Sequence, residues 1–101
     1  MTDARIDFDI LPWTQAAEGL RFKSSEQGAR RVRLLEFAPG FAEGEWCLKS
    51  HAGYIVAGEL EIEFDDRAER VATGDALFIE GEPHRAKAGR EGARLFLVEE
   101  V

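Results

Sequence analysis

Residues 51–64 read H-A-G-Y-I-V-A-G-E-L-E-I-E-F, and their second half decides the fold. Leu60, Ile62 and Phe64 alternate with Glu59, Glu61 and Glu63. A period of two sends the two sets to opposite faces, so the segment is a β-strand with one dry side and one solvated side. The three glutamates are a wet strand face, not a metal cluster. The same period governs most of the chain. Arg30 to Ala38 reads as a strand in which the adjacent Leu34 and Leu35 shift the apolar phase, pointing to a bulge or to burial on both faces. Apolar runs at 53–57, 76–79 and 93–98 add further strands, with weaker signals at 5–10, 20–23, 45–49, 68–72 and 84–88.

Turn residues punctuate these runs: Pro39-Gly40, Glu43-Gly44, Gly58, Asp65-Asp66, Thr73-Gly74-Asp75, Gly81 to Pro83, and Gly89 to Gly92. Asp75 is placed to order its own turn. Only Thr14 to Gly19 has room for a helical turn, and no longer window is amphipathic at helical period. Many short strands at regular spacing predict an all-β antiparallel sandwich or barrel. Without repeat, linker or low-complexity segment, residues 1–101 are read as one domain, with a barrel core over about 30–98.

The chain carries 13 Lys plus Arg against 20 Asp plus Glu, a net charge of −7. The first fifty residues hold 7 basic and 8 acidic groups, the remainder 6 and 12. Phosphate binding needs a basic stripe, and Arg30, Arg31 and Arg33 are too short a cluster to supply one, so nucleic acid is excluded as a partner. No apolar run approaches the roughly 18 residues of a membrane span. The N-terminal M-T-D-A-R-I-D-F-D-I has acids where a signal peptide is basic. A single cysteine, Cys47, fits a reducing, cytoplasmic setting.

From Val32 to Val98 the chain resembles the cupin family, whose barrels are double-stranded β-helices of jelly-roll type. The family's first motif is roughly G-x5-H-x-H-x3,4-E-x6-G; here Pro39-Gly40 resembles its opening turn and residues 51–64 its end, with Gly58 closing it. G-D-A-L-F-I-E-G-E-P-H, residues 74–84, resembles the second motif, G-x5-P-x-G-x2-H-x3-N. In this register His51 stands at the glutamate position, Glu45 and Cys47 at the two histidine positions, and Glu80 at the proline. Gly81 and His84 match the second motif after a one-residue deletion, and Ala88 is nearest the terminal asparagine. The resemblance implies an all-β cupin barrel with an altered or lost metal centre, and a homodimer. Two histidines in the chain exclude the family's three-histidine site.

Glu45, Cys47, Lys49 and His51 share a parity, and an unbroken strand would point all four to one face. Three readings follow. First, His51 and His84, with Glu45 or Cys47, bind a divalent transition metal (Zn, Fe, Ni or Mn): two imidazoles with a carboxylate suit Fe(II), and two imidazoles with a thiolate suit Zn(II). In the second, the pocket is metal-free. Lys49 meets a small anionic ligand there, with Tyr54, Phe78 and Phe96 as walls; the plain alternative has Lys49 snorkelling out or pairing with Glu80 or Glu82. In the third, Cys47 is a reactive thiol beside Lys49 or His51, against the commoner role of inert packing. Trp13 and Trp46 are expected as core or dimer anchors. The function expected is that of a small cupin binding a small-molecule ligand, with or without a metal. The alternative is a metal-dependent oxygenase, isomerase or lyase acting at His51 and His84.

Overall fold

The computed structural model describes residues 4–101. After a single 3-10 turn, Phe8–Ile10, come seven strands: β1 (Thr14–Ala17), β2 (Leu20–Gln27), β3 (Arg30–Phe37), β4 (His51–Phe64), β5 (Ala68–Ala72), β6 (Ala76–Ile79) and β7 (His84–Glu100). All pairings are antiparallel. The sheet order is β1-β2-β3-β7-β4-β5, with β6 also pairing β4. The long strands β4 and β7 run through both halves of the sheet and bend together, so that it closes over one core as an all-β barrel.

The bend has a local cause. Both register shifts between β4 and β7 flank Gly58, which sits opposite Ala93. Gly58 has φ +78°, and a Cβ there would lie 2.1 Å from the Gly92 carbonyl oxygen. Gly92 is itself at φ +77°. Only glycine tolerates that backbone and that approach, so the pair lets two strands fold over as one. The turn expected at Gly89 to Gly92 is therefore a bend within β7.

The dry side of β4 is as the alternation reads: Leu60, Ile62 and Phe64 are buried with Ile55, and Ile55 and Leu60 are fully enclosed. Leu35, Phe37, Ile79, Leu95 and Leu97 complete the core from β3, β6 and β7. Burying each such side chain stabilises by about 1.5–3 kcal/mol. On the wet side Glu63 binds Arg85. Leu34 and Leu35 lie in an unbroken register with β7, so their adjacency reflects burial on both faces and not a bulge. Asp75 caps its turn by accepting from the Ala72 amide at 2.8 Å.

Two expectations at the N-terminal end are corrected. Thr14 to Ala17 pairs as edge strand β1, because β2 offers it a ladder that an isolated helical turn lacks. The weak strand signal at 5–10 becomes the 3-10 turn, capped by the Asp7 carboxylate. Phe8 then packs edge-on against Phe96 at 6.3 Å on the outer face, and Lys23 donates to the Phe8 carbonyl. Among the described residues no helix is long and apolar enough to cross a membrane.

Candidate metal centre

The inward row of β7 ends in His84 at one end and Glu99 at the other, and β4 begins with His51 opposite Ile79. Before β4 the chain is not a regular strand. Ala42 bridges Lys87 and Cys47 bridges His84, so five steps on one side match three on the other. The surplus bulges outward at 43–46, and the chain leaves the ladder again at 48–50, where Ser50 accepts from the Gly81 amide. Cys47 is clamped between these excursions: its N–H donates to the His84 carbonyl at 2.6 Å, and it accepts from the His84 amide at 3.0 Å.

Cys47, His51 and His84 consequently converge, each offering one ligand atom within 4.8 Å of the others. Cys47 Sγ lies 3.4 Å from His51 Nε2. The two imidazoles stand edge to face, 5.1 Å apart and at 84°. Both histidines are buried. His84 Nδ1 is 2.8 Å from the Glu82 carbonyl, which can only accept, so Nδ1 donates there and Nε2 is the nitrogen left for the cluster. His51 Nδ1 faces the Glu99 carboxylate at 2.9 Å, and its Nε2 is likewise left toward the cluster.

Glu99 is fully enclosed. Burial pushes its carboxyl up, but the contacts from His51, Arg33 and Arg31 outweigh that and hold it down at about 2. It is therefore an anion at neutral pH, fixing the His51 ring in the manner of a carboxylate behind a metal-bound histidine. A tetrahedral zinc holds a sulfur and a nitrogen ligand atom about 3.5–3.6 Å apart. The Cys47–His51 separation of 3.4 Å is close to that spacing, and the soft sulfur with two imidazoles is a donor set suited to zinc.

The remaining expected site residues are placed elsewhere. Glu45 is exposed and outside the cluster, because the bulge carries it out of the shared parity. Glu43, two residues earlier, is the acid that reaches the barrel interior; its Oε1 accepts from the Ala86 amide at 2.9 Å. Lys49 is exposed and does not line the lumen; with Phe78 it borders a surface hollow of about 540 Å³ that His51 and Glu99 also reach. Tyr54 is 50% and Phe78 75% exposed, and Phe96 lies under Phe8, so these three belong to the outer face and are not lumen walls. Trp46 is also no core anchor: it is half exposed and stacks under Arg85 at 4.5 Å. Trp13 carries Arg21 and Lys23 on its ring.

The lumen is a cavity of about 100 Å³ whose polar lining is Arg33, Glu43, Cys47, His51 and His84. Arg33 and Glu99 are absent from the sequence-based set. Their signal is parity: Arg33 shares a face with Leu35 and Phe37, and Glu99 with Leu95 and Leu97. A wider groove of about 590 Å³ on another part of the surface holds Arg21 and Arg94, but both are bound to Glu36, and Glu91 on the same wall balances the remaining charge.

No family model and no curated protein matches the sequence. The fold, by contrast, has many likenesses. KdgF from a Halomonas species superposes with a TM-score of 0.82 at 18% identity, over 98% of this chain and 94% of that one. The polyketide cyclase RemF from Streptomyces resistomycificus gives 0.81 at 19%, over 98% and 80%. An RmlC-like cupin from Shewanella frigidimarina gives 0.77 at 14%, over 98% and 91%. The chain has a cupin-type fold. Its own centre is a histidine–histidine–cysteine cluster.

Proposed function

We propose that the protein is a small metal-binding cupin that holds a divalent ion, zinc foremost, on Cys47, His51 and His84 and takes a small-molecule ligand in the lumen beside it. The carrying observation is the convergence of the three donor atoms with both imidazoles oriented from behind, His51 by Glu99 and His84 by the Glu82 carbonyl. Three protein ligands leave a position for water or ligand, and such a metal supplies Lewis acidity. The chain's own residues supply orientation and exclude water: the apolar walls of the lumen are Leu20, Leu35, Phe37, Leu77 and Leu95.

Elemental analysis of protein purified without a histidine tag tests this. One equivalent of metal is expected in the wild type and in Glu45→Gln, with less than a tenth in Cys47→Ser and His84→Ala. Metal content unaffected by Cys47→Ser and His84→Ala overturns the site.

A catalytic use, as an oxygenase, isomerase or lyase, is supported by one observation: the Glu43 carboxylate shares the cavity with the cluster. One oxygen is committed to the Ala86 amide, and the other is available to move a proton. The fold alone does not choose between binding and turnover, since cupin-like frames host unrelated chemistries. The lone thiol supports a reducing, cytoplasmic setting. A homodimer is supported by the apolar strip of Tyr54, Val56 and Phe78 on the outer face of β4 and edge strand β6, which a second copy would cover. Light scattering on the intact chain at micromolar concentration reads this directly.

A further inference from the structure

The Glu99 carboxylate serves more donors than two oxygens can satisfy. Oε1 lies 3.0 Å from Arg31 Nε, 2.7 Å from Arg31 Nη2 and 2.5 Å from Arg33 Nε. Oε2 lies 3.2 Å from Arg33 Nη2 and 2.9 Å from His51 Nδ1. Arg33 Nε and His51 Nδ1 are both buried, and neither aims its hydrogen squarely at the oxygen beside it. One carboxylate balances one guanidinium, so Glu99 alone does not neutralise both. Glu26, at 3.9 Å and half exposed, approaches Arg31 and not Arg33.

The two arginines differ in what they face. Arg33 lines the lumen with Cys47, His51 and His84, whereas Arg31 does not. The Arg33 side chain is only 17% exposed, and with Nε and Nη2 turned to Glu99 its Nη1 donates to no protein acceptor among the described residues. A guanidinium held in place by a buried carboxylate presents its free edge as a planar donor, the geometry that recognises a carboxylate.

We infer that the lumen takes a small carboxylate, and that Arg33 is the residue that recognises it. This rests on the lumen being the binding site and not on which metal is bound. The cavity of about 100 Å³ corresponds to roughly three water volumes, which confines the ligand to a short-chain acid. Glu43 is the other charged group on the wall and repels an anion, so the ligand's carboxylate lies toward Arg33, with its short tail against Leu35, Phe37 and Leu77. Arg33 thus takes the part that the sequence pattern suggested for Lys49.

Titration calorimetry with propionate tests the assignment, with 1-propanol and propylammonium as neutral and cationic counterparts of similar size and octanoate as an oversized acid. Each is run on chelator-treated and on zinc-loaded protein. Propionate is expected to bind saturably in both, and the other three at least tenfold more weakly. Arg33→Gln should weaken propionate at least tenfold while keeping its full equivalent of zinc, and Arg33→Lys by an intermediate factor. Arg31→Gln removes comparable contacts to Glu99 but should leave propionate affinity within twofold. Propanol binding as well as propionate overturns the inference, as does an equal loss in Arg31→Gln and Arg33→Gln. A protein that binds propionate through Arg33 but no metal leaves this inference standing and removes the metal site.

Discussion

The second half of β4 and the stretch that leads into it obey different rules. From Leu60 to Glu63 the strand is paired on both sides without interruption, to β5 and to β7, and its parity holds residue by residue. From Ala42 to Ser50 the chain forms no continuous ladder: it meets β7 at the isolated bridges of Ala42 and Cys47, with Glu43 bonded to Ala86 between them. There the side chain of residue 43 points in and that of residue 45 does not, against the parity of a continuous strand. Alternation is a property of the ladder, and where the ladder is broken the rule lapses. The cluster of Cys47, His51 and His84 is built at that break, because a segment outside the continuous ladder lets Cys47 approach both histidines.

Gly58 joins the regular half of β4 to its first half, and the largest effect is expected there. Gly58→Ala would place a methyl against the Gly92 carbonyl at positive φ, so a loss of more than about 4 kcal/mol, or failure to fold, is expected in chemical denaturation. A loss below about 1 kcal/mol would mean that β4 and β7 need no such joint. Next comes the alternation itself. Ile62→Ala should cost about 2–5 kcal/mol and the exposed Glu61→Ala less than about 0.5, and equal costs would break the contrast between the two faces.

The barrel and most of its core were legible in the sequence because Leu60, Ile62, Phe64, Leu95 and Leu97 follow an uninterrupted period of two. Both histidines and Cys47 were legible as candidates through the resemblance to cupin motifs. Glu43 was hidden by the bulge that displaces Glu45. Arg33 and Glu99 were hidden because each looks like a solvated charge; only their pairing across β3 and β7 buries them together. The outward placement of Tyr54, Phe78 and Phe96 was not legible for a simpler reason: an apolar run is silent about which side is the interior when both sides carry apolar residues.

At the irregular end, Glu99→Gln keeps the shape but removes the charge that orients His51. Metal affinity is expected to fall about 10–100-fold, or roughly 1.4–2.7 kcal/mol, while Glu45→Gln changes it less than twofold. Equal effects would mean that the bulged segment contributes what the buried pair does not. The smallest effect lies outside both regions. The Glu36 carboxyl is held below its ordinary 4.5, chiefly by the Arg94 hydrogen bond, against the upward push of burial and with help from Arg21. Its stabilisation is therefore complete above about pH 4.5 and fades as the pH falls through the lowered value. Glu36→Gln should cost about 1 kcal/mol at pH 7, and the difference from wild type should shrink in acid. A difference that grows on acidification would contradict that sign.

The proposed site requires that Cys47, His51 and His84 bind one metal ion together. X-ray absorption at the zinc edge on the loaded, untagged protein measures this directly. One sulfur at about 2.3 Å and nitrogen at about 2.0–2.1 Å are expected, with the sulfur shell lost in Cys47→Ser. A bound ion surrounded by oxygen and nitrogen alone in the wild type would contradict it.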